Sequence, residues 1–305
     1  MNVSWGRLLT AVITPYDKYG NVDYTAAADL SEYLIQNGSD GVVVAGTTGE
    51  SPVLTETEKQ RLCLSIKERL GDSGIVIAAT GTNNTAKTVE ATRWAHDNGL
   101  DGARVVVPYY NKPSQQGLYE HFQATAEASQ LPIMIYNIPS RTGATLSVDT
   151  TARLAELPNV VALKAATGNV MEISHLRQTA ARQLLLYSGD DPLTLPLLTL
   201  GAHRVVSVAS HLAARQLRKM LDAFASHDVD AALAIHERLL PLFEALFVDV
   251  NPVPVKTMLD MVGRPTGGFR LPLVPPDALT REHIFAVLNR HTTLLDYHLP
   301  DGQQI

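Results

Sequence analysis

Lys164 closes the apolar run Val160-Val161-Ala162-Leu163. An ammonium at the end of so apolar a segment is expensive to bury, and a lysine so placed tends to release its proton. A free amine, ordinarily near pKa about 10.4, has to fall by several units before it attacks a carbonyl at neutral pH. Position alone leaves two readings open: an imine-forming nucleophile, or a lysine whose stem lies along the strand while its head reaches water. Of the eight lysines, Lys18, Lys59, Lys67, Lys87, Lys112 and Lys219 stand among polar or charged neighbours. Lys256, in Pro252-Val253-Pro254-Val255-Lys256, is the one rival in an apolar setting. It lies in the C-terminal part of the chain rather than at a strand end, and ranks below Lys164.

Other reactive side chains stand at comparable places. Tyr136 ends the run Ile133–Tyr136, where a phenol can pass protons to and from an imine, or simply fill a core. Thr47 and Thr48 lie between glycines in Gly46-Thr47-Thr48-Gly49-Glu50-Ser51; their hydroxyls and N–H groups suit a carboxylate, and the same pattern also makes a tight turn. Tyr109 and Tyr110 form a pair in a loop, a pattern equally at home in an interface. Arg141, in Pro139-Ser140-Arg141-Thr142-Gly143, offers a planar fork for a carboxylate, or is a surface arginine. The ten histidines are scattered, with neither H-E-x-x-H nor a Cys/His cluster, so no metal centre is expected; His203 and His211 are the nearest candidates. No G-x-S-x-G is present.

The elements that must position these groups read as short apolar runs alternating with helix-length amphipathic segments. Candidate strands are Leu8–Thr14, Gly41–Ala45, Ile75–Thr80, Ala103–Val107, Ile133–Tyr136, Val160–Lys164, Leu184–Tyr187 and Arg204–Val208. They are rich in Val, Ile and Leu without alternation, as strands covered on both faces are. Helices are expected over Thr55–Leu70, Thr85–Asn98, Gln115–Gln130 and Val170–Ala181, with Thr55 and Glu58 at capping-box spacing. Eight β-then-α units in this length predict a (β/α)8 TIM barrel, class α/β, whose reactive groups stand at the C-terminal strand ends. Neither G-x-G-x-x-G nor G-x-x-x-x-G-K-[ST] marks an open phosphate-binding sheet. After about Phe224 the pattern changes. Ala231–Phe247 is apolar nearly all round, a helix that wants cover on more than one side. Residues 1–227 are therefore expected to form the barrel and 228–305 a small C-terminal helical domain.

At 305 residues and 45% hydrophobic, the chain can build a large core. Its net charge of −6 with both signs dispersed offers no nucleic-acid surface. The one cysteine, Cys63, cannot form an internal disulfide and falls on a helix face with Leu62, Ile66 and Leu70, which makes it a core residue. Residues 1–7 show no leader pattern and no window approaches a membrane-spanning length, so a cytoplasmic protein without membrane contact is expected.

With these motifs in view, the chain resembles the dihydrodipicolinate synthase / N-acetylneuraminate lyase family almost from end to end. The motifs are GTTGES at 46–51, PYYNKPSQQGLY at 108–119, YNIPSRTG at 136–143, LKAATGN at 163–169, SGDD at 188–191 and NPVPVK at 251–256. The resemblance implies a homotetramer, a dimer of dimers, of (β/α)8 barrels. It implies a lyase that condenses pyruvate with aspartate semialdehyde on the route to diaminopimelate and lysine. Lys164 matches the Schiff-base lysine. Tyr136, Thr47 and Tyr110 match the proton-relay triad, with the tyrosine at the Tyr110 position supplied by a neighbouring subunit. Thr48 matches a pyruvate-carboxylate contact, Arg141 the arginine that receives the semialdehyde carboxylate, and Gly189 and Val206 pocket-lining positions. No cofactor is implied, since a protonated imine is its own electron sink.

The sequence departs from that family at two places. Ala165 stands where a Glu usually follows the Schiff-base lysine, which puts local electrostatic tuning in question. Lys87 stands where lysine-inhibited members carry an acidic residue, and Lys59 where some carry a histidine, so feedback by lysine is expected to be weak or absent. Lys164 and Tyr136 would serve N-acetylneuraminate lyase or a keto-deoxy-sugar acid aldolase equally well. Arg141 and the tyrosine pair favour a carboxylate-bearing aldehyde. A non-catalytic binding barrel is the remaining alternative.

Overall fold

The computed structural model describes residues 3–297; residues 1–2 and the end of the expected C-terminal domain, 298–305, lie outside the described residues. Eight parallel strands run in chain order around one closed barrel. They are β1 (Leu8–Ala11), β2 (Gly41–Val44), β3 (Ile75–Ala79), β4 (Gly102–Val106), β5 (Ile133–Asn137), β6 (Val160–Ala165), β7 (Leu185–Ser188) and β8 (Arg204–Ser207). Helices alternate with them, and further helices follow β8. Each expected strand is present within a residue or a few of its expected ends. The chain divides into two compact units: one of the residues up to Arg7 with Ile75–Val206, the other of Leu8–Gly74 with the residues from Ser207 on.

In the first unit β3 to β8 pair in parallel, each with the next. Most of their residues are buried, which is why the runs lack polar alternation. The helices between them start where short polar side chains satisfy first-turn N–H groups: Asn84 for Lys87, Ser114 for Gly117, Ser147 for Thr150 and Asn169 for Met171. Two expected helices end early. The one starting at Gln115 stops at Glu127, where Asn159 Nδ2 donates to the carbonyl of Ala126 in the last turn and to those of Ser129 and Leu131 just beyond it. The one starting at Val170 stops at Leu176 and resumes as a 3-10 turn, Ala180–Gln183, capped by Thr179.

In the second unit β1 and β2 pair in register, Leu9 opposite Gly41. The helix Glu56–Leu70 carries the full capping box: Thr55 N donates to Glu58 Oε2 at 2.8 Å and Glu58 N to Thr55 Oγ1 at 3.2 Å. Cys63 is buried in its core face, and burial pushes its thiol up to about 12, the mark of an inert core cysteine. After β8 come the helices Ser210–Ala225, Val229–Ala245, Val253–Met261 and Ala278–Arg290. In the third, eight of nine residues are buried. In Val229–Ala245 and just beyond, Leu239, Leu242, Phe243 and Leu246 are buried, whereas Leu233, Phe247, Val248 and Val250 stay exposed. The cover that the all-round apolar pattern demands is thus complete on one side only within a single chain.

Candidate active site

Lys164 is the fifth residue of the six in β6, in register with Tyr136 on β5 and Tyr187 on β7. It is only 5% exposed, so its position delivers the apolar surroundings that its preceding residues suggest. Its Nζ lies 4.5 Å from the centroid of the Tyr136 ring. Burial, and after it the nearby Arg104 guanidinium, drive its pKa down to about 7; Asp191 and Asp190 pull the other way and Arg141 adds to the fall. At neutral pH a substantial share of this amine therefore carries a lone pair free to attack a carbonyl.

Residues of the neighbouring strand ends in the same unit surround Lys164. Gly189 N donates to Ala165 O at 2.7 Å, bringing the segment after β7 hard against Lys164. A Cβ at Gly189 would lie 2.9 Å from both Lys164 Cε and Ala165 O, so no larger residue fits without displacing the lysine stem or the backbone. Asp190 is half-buried, and burial together with Asp191 raises its carboxyl. Arg141 is exposed on the one-turn helix Pro139–Thr142 that follows β5. Val206 is buried on β8. Tyr110 adopts a left-handed φ of 72°, rare for a residue with a side chain. Its N–H donates to Thr142 O at 3.2 Å, and its side chain is 88% exposed.

Arg104, on β4, belongs to this group and is absent from the sequence expectation. It sits among Ala103, Val105 and Val106, and its guanidinium carbon is 4.6 Å from the Tyr136 ring centroid. A single charged residue inside an otherwise apolar strand was the available signal.

In the second unit, Thr47 and Thr48 follow β2 in a turn braced by Glu50 N to Thr47 O, Ser51 N to Gly46 O, and Thr14 Oγ1 to Gly49 O. Gly49 is packed so closely that a Cβ would come within 3.2 Å of Val12 O. Thr48 is buried and its Oγ1 accepts from Asn251 Nδ2 at 3.0 Å. Glu50, at a left-handed φ of 56°, turns its carboxylate onto Lys256. Both side chains are 0% exposed, Nζ to Oε1 is 2.8 Å, and Nζ also donates to Thr14 O at 3.0 Å. The rings of Tyr16 and Phe269 flank the ammonium. Lys256 is thus held as one half of a buried ion pair: burial lowers its pKa, and the charge and hydrogen bond of Glu50 oppose that fall. His211 is also accounted for: fully buried, it donates through Nδ1 to Val208 O and accepts at Nε2 from Ile13 N, and burial lowers it to about 4.

Residues 4–291 match the Dihydrodipicolinate synthetase family. The chain is 50% identical over 293 residues to the 4-hydroxy-tetrahydrodipicolinate synthase of Moorella thermoacetica, covering 96% of this chain and 100% of that one. It is 51% identical over 285 residues to the enzyme of the same name from Synechococcus elongatus, covering 93% and 95%. Among solved structures, DHDPS from Cyanidioschyzon merolae with lysine bound superposes with a TM-score of 0.93 at 44% identity, covering 96% of this chain and all of that one. Dihydrodipicolinate synthase from Aquifex aeolicus gives 0.92 at 43%, covering 95% and 99%.

Proposed function

The chain belongs to the dihydrodipicolinate synthetase family, and from that premise we infer that it is a Schiff-base lyase with the 4-hydroxy-tetrahydrodipicolinate synthase activity. The reaction condenses pyruvate with L-aspartate 4-semialdehyde in diaminopimelate and lysine biosynthesis. The observation that carries the mechanism is Lys164: a buried amine at a barrel strand end, brought down to about 7.

Lys164 Nζ adds to the keto carbon of pyruvate and water leaves, giving a protonated imine. That cation draws electrons from the adjacent methyl group, a proton departs, and a neutral enamine forms. The enamine carbon attacks the aldehyde carbon, whose oxygen takes up a proton. The amine of the extended substrate then adds to the imine carbon, closes the ring and expels Lys164. The imine is the electron sink throughout, so this sequence calls for no metal or organic cofactor. We assign the proton transfers to Tyr136, Thr47 and Tyr110, the pyruvate carboxylate to Thr48, and the semialdehyde carboxylate to Arg141. Gly189 and Val206 line the pocket in this assignment. The bond from Asn251 to the Thr48 hydroxyl supports the Thr48 role, because it fixes the hydroxyl's orientation. The exposure of Arg141 suits a group that meets an incoming charged substrate at the site's mouth.

The proposed assembly is a homotetramer, a dimer of dimers, in which Tyr110 serves a neighbouring subunit's site. A side chain 88% exposed in the single chain, on a backbone held in a left-handed conformation, supports that role. The exposed Leu233, Phe247, Val248 and Val250 support a further contact between copies. We keep the boundary between barrel and C-terminal helical domain at 227/228. Among the described residues no helix is long and apolar enough to cross a membrane, and we place the enzyme in the cytoplasm, where a biosynthetic lyase meets pyruvate.

The test is a borohydride trap. Incubation with pyruvate, reduction, digestion and mass spectrometry should find the adduct on Lys164, and turnover should require aspartate semialdehyde rather than N-acetylmannosamine or a sugar-acid aldehyde. An adduct on Lys256, or none, would overturn the mechanism; preference for a sugar aldehyde would overturn the substrate.

A further inference from the structure

The proposed reaction makes no use of the buried charge of Arg104 on β4. Arg104 is 5% exposed, its Nε has no hydrogen-bond partner, and no acidic side chain pairs with it among the described residues. An unpaired buried cation is a standing cost, and such a group calls for an explanation. Its placement supplies one. Val106 is in register with Tyr136, and Tyr136 with Lys164. Arg104 lies one pleat repeat before Val106, so it projects to the same side of the sheet as Tyr136 and Lys164. The guanidinium carbon is 4.6 Å, and Lys164 Nζ 4.5 Å, from the centroid of the one Tyr136 ring. A triangle with those sides keeps the two cationic centres within about 9 Å of each other.

We propose that Arg104 is a positioning residue for Lys164: its uncompensated guanidinium, stacked on the Tyr136 ring, biases the Lys164 amine towards its neutral, attacking form and holds the phenol ring beside it. The inference rests on Lys164 being the imine-forming residue. The groups acting on that amine are Arg104 from β4, Tyr136 from β5, Arg141 from the segment after β5, and Asp190 and Asp191 from the segment after β7. The two aspartates favour the ammonium and the two arginines oppose it. Arg104 is the buried one of the arginines, so water screens it least. A guanidinium is the right group for the task, because it stays charged where a buried lysine would lose its proton.

Arg104→Met and Arg104→Gln both remove the charge, with side chains of different polarity. The readout is the pH dependence of imine formation with pyruvate, followed by borohydride trapping at Lys164. At a separation near 9 Å and an effective dielectric of about 20, losing the charge should move the acid limb up by about one pH unit. Imine formation at pH 6 then slows about tenfold, while the plateau at high pH stays within about twofold of wild type. Both variants should shift alike. A limb that stays in place in a folded variant overturns the role. So does a limb that moves in one variant and not the other, since that would follow shape rather than charge. Should one variant fail to fold, the other carries the profile, and collapse of both would make Arg104 a structural residue and overturn the proposal. Absence of any pyruvate adduct on Lys164 in the wild type would instead be a failure of the Schiff-base reading itself.

Discussion

Lys256→Met tests whether the second unit is held together as the geometry indicates. The lysine and Glu50 are both 0% exposed, 2.8 Å apart, with Thr14 O as the lysine's second acceptor. Arg270 N reaches the other carboxylate oxygen at 3.3 Å, a backbone bond that cannot replace an ammonium. The substitution keeps most of the volume and removes the charge, so the dominant cost is a buried carboxylate left without its cation. Breaking such a pair from one side costs about 3–5 kcal/mol, whereas replacing both partners is close to neutral. Lys256→Met should therefore lower the urea midpoint sharply. Glu50→Gln/Lys256→Met should recover most of that loss, with a coupling of about 2 kcal/mol or more in the double-mutant cycle. Pyruvate should still be trapped on Lys164 in every variant that folds. A single variant within about 1 kcal/mol of wild type, or a double variant as damaged as the sum of its parts, would refute the reasoning.

Lys164 held near 7, well below its ordinary value, sets two pH expectations. Imine formation should fall about tenfold per pH unit below 7, and a limb nearer 10 would contradict the site as described. Because the unfolded chain binds this proton more tightly, the folded state carries a penalty that is full below pH about 7 and fades as pH rises towards the free amine's value. Lys164→Met should accordingly raise the unfolding midpoint at neutral pH while abolishing turnover; a lowered midpoint would argue against the burial cost. Gly189→Ala should cut kcat/KM by about 100-fold or more, because its Cβ would overlap Lys164 Cε and Ala165 O, and near-normal activity would show that the segment yields. Tyr110→Phe should lower kcat with little change in KM, and mixing it with Lys164→Ala should restore part of the activity if Tyr110 serves a neighbour's site; no restoration on mixing would leave Tyr110 within its own chain. Lysine at 1 mM should not inhibit, given Lys87 and Lys59, the latter already paired with Glu56; inhibition well below that concentration would sink the expectation.

The barrel was legible in the sequence because covered parallel strands leave uninterrupted apolar runs and helix caps leave local polar signals, as Thr55 with Glu58 does. What escaped was set by contacts between distant residues. The helix from Gln115 ends where Asn159 takes the carbonyls of Ala126 and Ser129, a partner about thirty residues further on. Lys256 ranks below Lys164 from position, yet the partner that ties up its ammonium, Glu50, lies 206 residues away. Arg104 carries little signal of its own in the sequence, because an apolar strand accommodates one charged residue at many positions. Only register shows that it shares a face with Tyr136 and Lys164.

The electrostatic setting of Lys164 has to serve two charge states in turn. The attacking amine must be neutral, yet the imine it forms acts as an electron sink only while protonated. Burial and the arginines favour the first state and disfavour the second, while Asp190 and Asp191 do the reverse. The same opposition aids the next step, because loss of the methyl proton converts a disfavoured buried cation into a neutral enamine. On this account the aspartates cannot be removed without cost even though they hold the free amine back. Asp191→Asn should shift the acid limb of imine formation to lower pH and yet slow exchange of the pyruvate methyl protons with solvent deuterium, which proton NMR would follow directly. If exchange quickened along with imine formation, the two carboxylates would be spectators of the cationic intermediate, and the balance of charges around Lys164 would serve attack alone.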